Sequence, residues 1–288
     1  MNTVLVLGNS HSVALKEAAP FPEGFVVHWL RTKEGQTTGD VDIADALALA
    51  EALEPRDCLV FMRLGVQHNI LGLLNHDLPF SLVGTMGESG GAEMIPEGVM
   101  RVHLRECATS DRLLKRFAGQ VRCRIVHVMP PPPKKDPIAA AMAERARLQA
   151  LASAAGAEPP PAGFPGRVLA YVGRFPSGWR KRKARRKTST FEYRGRRIAD
   201  VGFSPAPLRL ALWRLEKAEL DAYLPTIGIV PLGPPPETLT EEGYLDPAFS
   251  AADATHANGA YGARLLAQLV AFAAEPGGEP TTPALAGS

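Results

Sequence analysis

The amino-acid sequence predicts an α/β domain in which helices cover both faces of a parallel sheet. First, the strongest apolar runs are short and near-continuous, which is the pattern of strands buried on both faces. Second, helical patterns lie between these runs, and this alternation favours right-handed crossovers between parallel strands. Third, 288 residues with 45% hydrophobic and 22% charged content are enough to bury one large core without disulfide or metal support.

Five apolar runs bounded by turn residues are the predicted strands. In chain order they are Thr3–Leu7, Phe25–Leu30, Cys58–Leu64, Arg124–Met129 and Ile227–Leu232. Helical patterns occupy Asp42–Ala52, Ser110–Phe117, Ile138–Ala155, Pro207–Tyr223 and Gly259–Ala274, and Ser110 is the expected N-cap of the second of these helices. The carboxyl ends of all five strands should then meet at one edge of the sheet, where α/β proteins bind their ligands.

Residues 159–204 interrupt the alternation and form a predicted insert in a domain that spans residues 1–274. The insert opens with a Pro/Gly-rich stretch and contains a predicted extended pair around residues 194–195. Its segment Arg180–Arg197 has ten Lys or Arg and one acid, whereas the rest of the chain has 22 basic and 29 acidic residues. We expect this basic segment to be a mobile surface element that is dispensable for folding. Residues 275–288 are rich in Pro, Gly and Thr and should form a disordered tail.

The basic segment is compatible with three functions. Its cations are interleaved with Trp179, Phe191 and Tyr193, a composition suited to contacting phosphates and stacking on the bases of a nucleic acid. The same composition is also typical of a solvated flap. In the third interpretation, the positive charge steers an acidic substrate toward the edge of the sheet.

The sequence also excludes several classes of protein. No run of eighteen apolar residues is present, so no membrane-spanning helix is expected. The start, MNTVLVLGNS, has no basic residue before its apolar run and is interpreted as a buried strand, not a signal peptide. The cysteines Cys58, Cys107 and Cys123 are odd in number and lack metal or redox spacing, which favours the reducing cytoplasm. His68 and His76 have no metal-type spacing with carboxylates, and no phosphate-binding glycine motif occurs, so we expect no metal or cofactor.

A serine lies in the turn that follows the first predicted strand. The chain reads Gly8-Asn9-Ser10-His11-Ser12 before a short helical pattern. A serine hydroxyl in such a turn is exposed, and the helix N-terminus behind it suits a developing oxyanion. Ser12 lies further into the helix and should point away, whereas His11 either lines the pocket or is half-exposed. The alternative is a plain capping turn with Ser10 as the N-cap.

An aspartate and a histidine precede the final predicted helix. Asp253 and His256 are three positions apart in the sequence Asp-Ala-Thr-His. In a helical turn this spacing places both side chains on one side, where the carboxylate can hold the imidazole tautomer. His256 would then lie at the same sheet edge as Ser10, which is the arrangement that serine acyl chemistry needs. The alternative is an acidic first turn that interacts with the helix dipole.

These two segments carry a resemblance to a known family. Gly-Asn-Ser after the first strand resembles the Gly-Asp-Ser block of the SGNH (GDSL-like) hydrolases, and Asp-Ala-Thr-His resembles their closing Asp-x-x-His block. The resemblance covers residues 1–274 apart from the insert. It implies a three-layer, flavodoxin-like sheet of order 2-1-3-4-5. It also implies a Ser10–His256–Asp253 triad that hydrolyses esters, O-acetyl esters included, in small molecules or glycans.

The chain departs from the family pattern at the groups that bind the oxyanion. Asn9 stands where the family has Asp, and Gly65-Val66-Gln67-His68-Asn69 stands where it has Gly-x-Asn. The candidate donors are therefore the backbone N–H of Ser10, Gly65, and the amide of Gln67 or Asn69. The family's second glycine donor has only positional candidates, Gly35 and Gly39.

A change in the oxyanion block leaves a second class of function open. The loss of one oxyanion donor costs roughly 10²–10³ in turnover. The alternative to an esterase is therefore a catalytically weak binding protein on the same fold. Its ligand would be an anionic molecule, or RNA bound through the basic insert.

Overall fold

The computed structural model describes residues 2–31, 39–83, 92–154, 192–193 and 196–275. Most of the basic segment and residues 276–288 of the expected tail lie outside these ranges, so the predictions made for them stay predictions.

The described residues form an α/β protein with a six-stranded parallel sheet at its centre. The strands are β1 (Val4–Gly8), β2 (Phe25–Arg31), β3 (Val41–Asp42), β4 (Cys58–Met62), β5 (Phe80–Leu82), β6 (Glu93–Ile95), β7 (Arg124–Val128), β8 (Glu192–Tyr193), β9 (Arg196–Arg197) and β10 (Ile229–Leu232). The central sheet has the order β3-β2-β1-β4-β7-β10, and every neighbouring pair is parallel. The predicted parallel sheet is therefore confirmed.

Helices cover both faces of this sheet. They are α1 (Val13–Glu17), α2 (Ile43–Glu51), α3 (Gln67–Gly72), α4 (Glu97–Thr109), α5 (Arg112–Gln120), α6 (Pro137–Ala154), α7 (Ile198–Val201), α8 (Ala206–Tyr223) and α9 (Gly259–Ala274). Alternate residues of β1 point to opposite faces: Leu5 and Leu7 pack with α2, α5 and α8, whereas Val4 and Val6 pack with α1 and α9. No helix in the described ranges has the length and apolar character needed to span a bilayer.

The region around residue 110 differs from the sequence prediction. The expected helix Ser110–Phe117 begins later, as α5, and its cap is Asp111, whose carboxylate accepts the N–H of Leu114 at 2.9 Å. Ser110 instead ends α4, and its hydroxyl donates to the carbonyl of Cys107. Helix α4 was not predicted, because the exposed Val99 and Val102 obscure its amphipathic pattern.

The start of the last predicted strand and the end of the predicted insert also differ from the sequence prediction. The run predicted as a strand from Ile227 begins inside a 3₁₀ turn, and the strand follows Gly228, whose φ of +75° ends that turn. At the end of the insert, β8 and β9 form the predicted extended pair. The last insert residues belong to the body of the domain, because Phe203 packs on Leu73 and Leu74 and Ser204 donates to the carbonyl of Leu73.

Candidate active site

Ser10 is the first residue of a 3₁₀ turn that leaves the carboxyl end of β1. The N-cap of this turn is Asn9, whose side chain accepts the N–H of His11 at 2.9 Å, so the interpretation of Ser10 as the cap is wrong. Ser12 is fully buried and donates its hydroxyl to the carbonyl of Asn9 at 2.7 Å, so its side chain points back into the turn, contrary to the expectation that it points away. A Cβ on Gly8 would lie 2.6 Å from that of Ser12, so the tight turn needs glycine there. The Ser10 hydroxyl therefore takes no part in capping the turn.

Asn9 joins the first turn to the loop that follows β4. Its Nδ2 donates to the carbonyl of Arg63 at 3.4 Å while its Oδ1 caps the turn. A carboxylate at this position could accept the cap hydrogen bond but has no proton to donate to Arg63. The amide of Asn9 therefore makes a structural contact that an aspartate in this position could not make.

The structure brings Asp253, His256 and Ser10 into one hydrogen-bonded row. The Oδ2 of Asp253 lies 2.8 Å from Nδ1 of His256, and Nε2 of His256 lies 2.9 Å from Oγ of Ser10. The expected helical turn is absent: residues 252–255 form bends closed by Asp253, whose Oδ1 accepts the N–H groups of Thr255 and His256. The spacing of three still lets the carboxylate and the ring meet, because one carboxylate oxygen folds the backbone and the other holds the ring.

The Asp253 carboxylate is ionised at neutral pH. Burial opposes its ionisation, but the hydrogen bond from His256 and the charges of His256 and Lys134 outweigh burial and hold the pKa of Asp253 well below its usual range. An ionised carboxylate accepts the proton on Nδ1 of His256, which leaves Nε2 with a lone pair directed at Ser10. The row therefore has the polarity required for a general base to remove the Ser10 proton.

Two buried cations, neither of them foreseen from the sequence, hold the loop that carries Asp253. The Nζ of Lys134 donates to the carbonyls of Ala251 and Asp253 at 2.7 and 2.6 Å, and Lys134 is 1% exposed. Burial lowers the pKa of Lys134 to about 8, although the charges of Asp253 and Glu144 act in the opposite direction. Arg209 of α8, also buried, donates in turn to the carbonyl of Lys134 at 2.7 Å. A lysine in a proline-rich run is ordinarily expected at the surface, so the sequence offered no signal for this role.

Helix α9 begins just after His256, so the packing of α9 against α1 positions His256 next to Ser10. Asn258 caps α9 through the N–H groups of Ala260 and Tyr261, and its Nδ2 donates to the carbonyl of Ala248 at 2.9 Å. A Cβ on Gly262 would lie 1.8 Å from the carbonyl oxygen of Ala14 in α1. Only glycine lets the two helices approach this closely, so Gly262 controls the distance between the two halves of the row.

His11 lies against the ring of His256. Their ring centroids are 4.6 Å apart with a tilt of 37°. Burial, followed by the charges of His256 and His68, holds the pKa of His11 well below its usual value, so the ring is neutral at neutral pH. Of the two alternatives for His11, the structure shows the partly exposed residue, with its ring packed on that of His256.

The loop after β4 is ordered by Glu216 of α8. The Glu216 carboxylate accepts the N–H groups of Gln67 and His68, each at 2.9 Å, and Nδ1 of His68 at 2.8 Å. Gln67 therefore begins α3, a helix that the sequence interpretation treated as a loop. Gly65 has a φ of +88°, and a Cβ there would lie 2.5 Å from Met129, so this position also needs glycine.

The candidate oxyanion-binding residues have N–H groups that make no hydrogen bond to another described residue. Among the residues that the structure describes, no acceptor is paired with the backbone N–H of Ser10 or Gly65. Over the same residues, the amides of Gln67 and Asn69 make no side-chain hydrogen bond. Of the two positional candidates for the second glycine, Gly35 lies outside the described residues. The other, Gly39, lies against the backbone of Trp29, and nothing directs it to Ser10.

Comparison of the chain with protein-family models, with curated proteins and with solved structures returned no match.

Proposed function

We propose that this chain is a serine ester hydrolase of the SGNH type, on a flavodoxin-like sheet, with Ser10 as nucleophile, His256 as general base and Asp253 as its orienting carboxylate. The observation that carries the proposal is the 2.9 Å contact between Oγ of Ser10 and Nε2 of His256, which joins residues 246 positions apart. An ordinary capping turn would not need this contact. The low pKa of Asp253 supports the same assignment, because the carboxylate stays charged beside the ring.

In the first half of the reaction, Oγ of Ser10 attacks the ester carbonyl carbon while Nε2 of His256 accepts the Ser10 proton. Asp253 stabilises the resulting imidazolium. The N–H groups of Ser10 and Gly65 are free to bind the oxyanion, and the amides of Gln67 and Asn69 are the additional candidates. His256 then gives its proton to the departing alcohol, which leaves an acyl group on Ser10.

In the second half, a water molecule takes the position of the alcohol. His256 removes a proton from this water, and the oxygen attacks the acyl carbonyl carbon. When the tetrahedral intermediate collapses, the acid leaves and Ser10 recovers its proton from His256. This sequence requires no group beyond the residues already named and water.

The decisive experiment is labelling with a fluorophosphonate followed by peptide mapping. We expect one adduct, on Ser10, and no labelling of a folded Ser10→Ala variant. The matched control is Ser153→Ala, which removes an exposed hydroxyl on α6 and should label like the wild type. An adduct on Ser12, or no adduct on a folded protein, would contradict the proposal.

Nucleic-acid binding is the remaining candidate activity, and it rests on charge alone. The cations of Arg180–Lys187 lie outside the described residues, so no contact or surface supports an RNA site there. A cytoplasmic location likewise stays a prediction from the cysteine content.

A further inference from the structure

A cavity of about 600 Å³ opens beside the Ser10 turn at the carboxyl edge of the sheet. Asn9 and Gly65, which flank the reacting centre, line this cavity together with Asp111, Arg112 and Glu216. Its size is within the usual range for small-molecule sites in proteins. Because the cavity adjoins the backbone groups proposed to bind the oxyanion, a part of the ester substrate can occupy it.

Both carboxylates of the cavity are already engaged in hydrogen bonds. Glu216, whose side chain is 5% exposed, accepts three hydrogen bonds from Gln67 and His68. Asp111 accepts the N–H of Leu114 at 2.9 Å and Nε of Arg63 at 3.0 Å. Neither acid therefore offers a strong acceptor to a ligand.

The unused groups of the cavity are cationic or amide donors. Arg63 contacts Asp111 through Nε alone, so its two terminal nitrogens have no acceptor among the described residues. The exposed guanidinium of Arg112 likewise has no hydrogen bond or ion pair in the described part of the chain. A guanidinium presents two parallel N–H groups that match a carboxylate. The surplus of donors selects an anionic ligand group.

The lining also contains four leucine residues. Leu30, Leu64, Leu113 and Leu220 contribute side chains to the cavity. These leucines give the cavity an apolar part beside the polar Asn9, Gln67 and Ser110, and this part can contact the methylene or aromatic portion of a ligand.

We propose that this cavity, which adjoins the Ser10 turn, is the subsite for a carboxylate carried by the ester substrate and held by Arg63 and Arg112. The inference rests on the proposed esterase function and adds the substrate class. The carboxylate belongs to the acyl part or to the alcohol part of the ester, and the two arms of the experiment distinguish these sources.

The kinetic test compares charged esters with neutral isosteres. The acyl arm uses the p-nitrophenyl monoester of glutarate and the analogue in which an isopropyl group replaces the carboxylate. The alcohol arm uses the acetates of p-hydroxybenzoate and p-isopropylphenol. We expect kcat/KM to be about tenfold higher for the charged ester in one arm, a factor typical of a hydrogen bond to a charged group. Equal kcat/KM values within both arms would overturn the proposal.

Arginine variants show whether the preference comes from this cavity. Arg112→Gln should remove most of the preference by lowering kcat/KM for the charged ester toward the value for the neutral ester, because Arg112 has no other partner within the described residues. Arg63→Gln should act in the same direction. The control is Arg116→Gln, an exposed position on α5 whose guanidinium contacts only Gln120 among the described residues and which does not line the cavity. A preference that survives both Arg112→Gln and Arg63→Gln contradicts the assignment.

A binding measurement separates this inference from the esterase proposal. Calorimetry with glutarate and the wild-type protein should show binding that Arg112→Gln weakens about tenfold and Arg116→Gln does not. If no ester is hydrolysed but glutarate binds in this way, the esterase proposal fails and the anion subsite stands. If esters are hydrolysed but glutarate does not bind, the subsite fails and the esterase proposal stands.

Discussion

Two loops at the carboxyl edge of the sheet hold their residues in opposite ways. The loop of residues 250–258 presents side chains to Ser10 and is anchored by side chains from elsewhere, above all the buried Lys134. The loop of residues 65–69 is anchored through its backbone, because Glu216 accepts the N–H groups of Gln67 and His68. Its amide side chains make no hydrogen bond within the described residues.

The difference shows which part of the site tolerates substitution. A base works only if its ring is oriented, and here both carboxylate oxygens of Asp253 are engaged: Oδ1 accepts the N–H groups of Thr255 and His256, and Oδ2 contacts Nδ1 of His256. An oxyanion can be bound by backbone N–H groups, which any residue supplies. On the proposed mechanism, Gln67 therefore lies in a loop that is anchored through its backbone, where the identity of the side chain matters least.

The largest expected loss of activity comes from substitutions in the row formed by Ser10 and His256. Ser10→Ala should lower the esterase rate by roughly 10³- to 10⁶-fold, and Ser10→Ala/His256→Ala should leave nearly the same residual rate, because triad residues act as a unit. The measurement is kcat for a p-nitrophenyl ester with each folded variant. A double variant that is far slower than Ser10→Ala would show that His256 has a role independent of Ser10.

The next effect concerns the packing that joins the two halves of the row. Gly262→Ala places a Cβ 1.8 Å from the carbonyl oxygen of Ala14, so α9 must move away from α1. We expect a loss of about 1–3 kcal/mol in the free energy of unfolding, together with reduced fluorophosphonate labelling. The control is Gly98→Ala in α4, where a Cβ meets nothing within 4 Å and helix propensity predicts a slight gain. Equal unfolding energies for the two variants would exclude this role for Gly262.

Lys134→Met tests the anchor of the base-bearing loop. It removes two hydrogen bonds to the backbone at Ala251 and Asp253, and we expect kcat to fall about tenfold with KM little changed. Lys135→Met is the matched control, because the adjacent Lys135 is exposed and pairs with Glu242, so its loss should leave kcat unchanged. Similar losses in the two variants would show that the anchor is not specific to Lys134.

The titration of Lys134 should separate activity from stability. Burial lowers its pKa to about 8 in the folded protein from 10.5 in the unfolded chain. Activity should therefore decline above pH 8 as the charge on Nζ is lost. Between pH 8 and 10.5 the unfolded chain binds more protons at this group, so the contribution of Lys134 to stability should rise. Denaturation and rate measurements at several pH values, compared with Lys134→Met, check both signs. Rates and stabilities that fall together would contradict this.

The smallest expected loss of activity comes from side-chain substitutions in the loop of residues 65–69, which is anchored through its backbone. Gln67→Ala and Asn69→Ala should each lower kcat by less than about tenfold, because the N–H groups of Ser10 and Gly65 remain available for the oxyanion. The measurement is kcat for a neutral p-nitrophenyl ester. A loss of roughly 10² or more in either variant would identify that amide as a principal donor and would break the contrast between the two loops.

The sheet and the reacting row were accessible from the sequence for physical reasons. Strands buried on both faces must be continuously apolar, and residues at their carboxyl ends must share an edge, so Ser10 and His256 could be placed together. Helices α3 and α4 were not accessible in this way. The start of α3 is stabilised by Glu216, a residue 149 positions from Gln67, and α4 exposes valines on its outer face.

The residues that support the site could also not be predicted from the sequence. Lys134 and Arg209 are ordinarily surface residue types, and their burial follows from unpaired carbonyl groups that exist only in the folded chain. The second hydrogen bond of Asn9 likewise depends on the neighbouring strand, since its acceptor is the carbonyl of Arg63. Local pattern carries no information about such long-range partners.

On the proposed mechanism, the packing of α9 on α1 makes the reactivity of Ser10 depend on the completion of folding. Ser10 is near the start of the sequence and its base is 246 positions later, so a chain that lacks the docked α9 has a serine with no base. Partly folded forms should therefore be chemically silent toward fluorophosphonates even after the sheet has formed. During refolding, Ser10 would become reactive only when α9 packs against α1. The rate of fluorophosphonate labelling would therefore measure this last packing step.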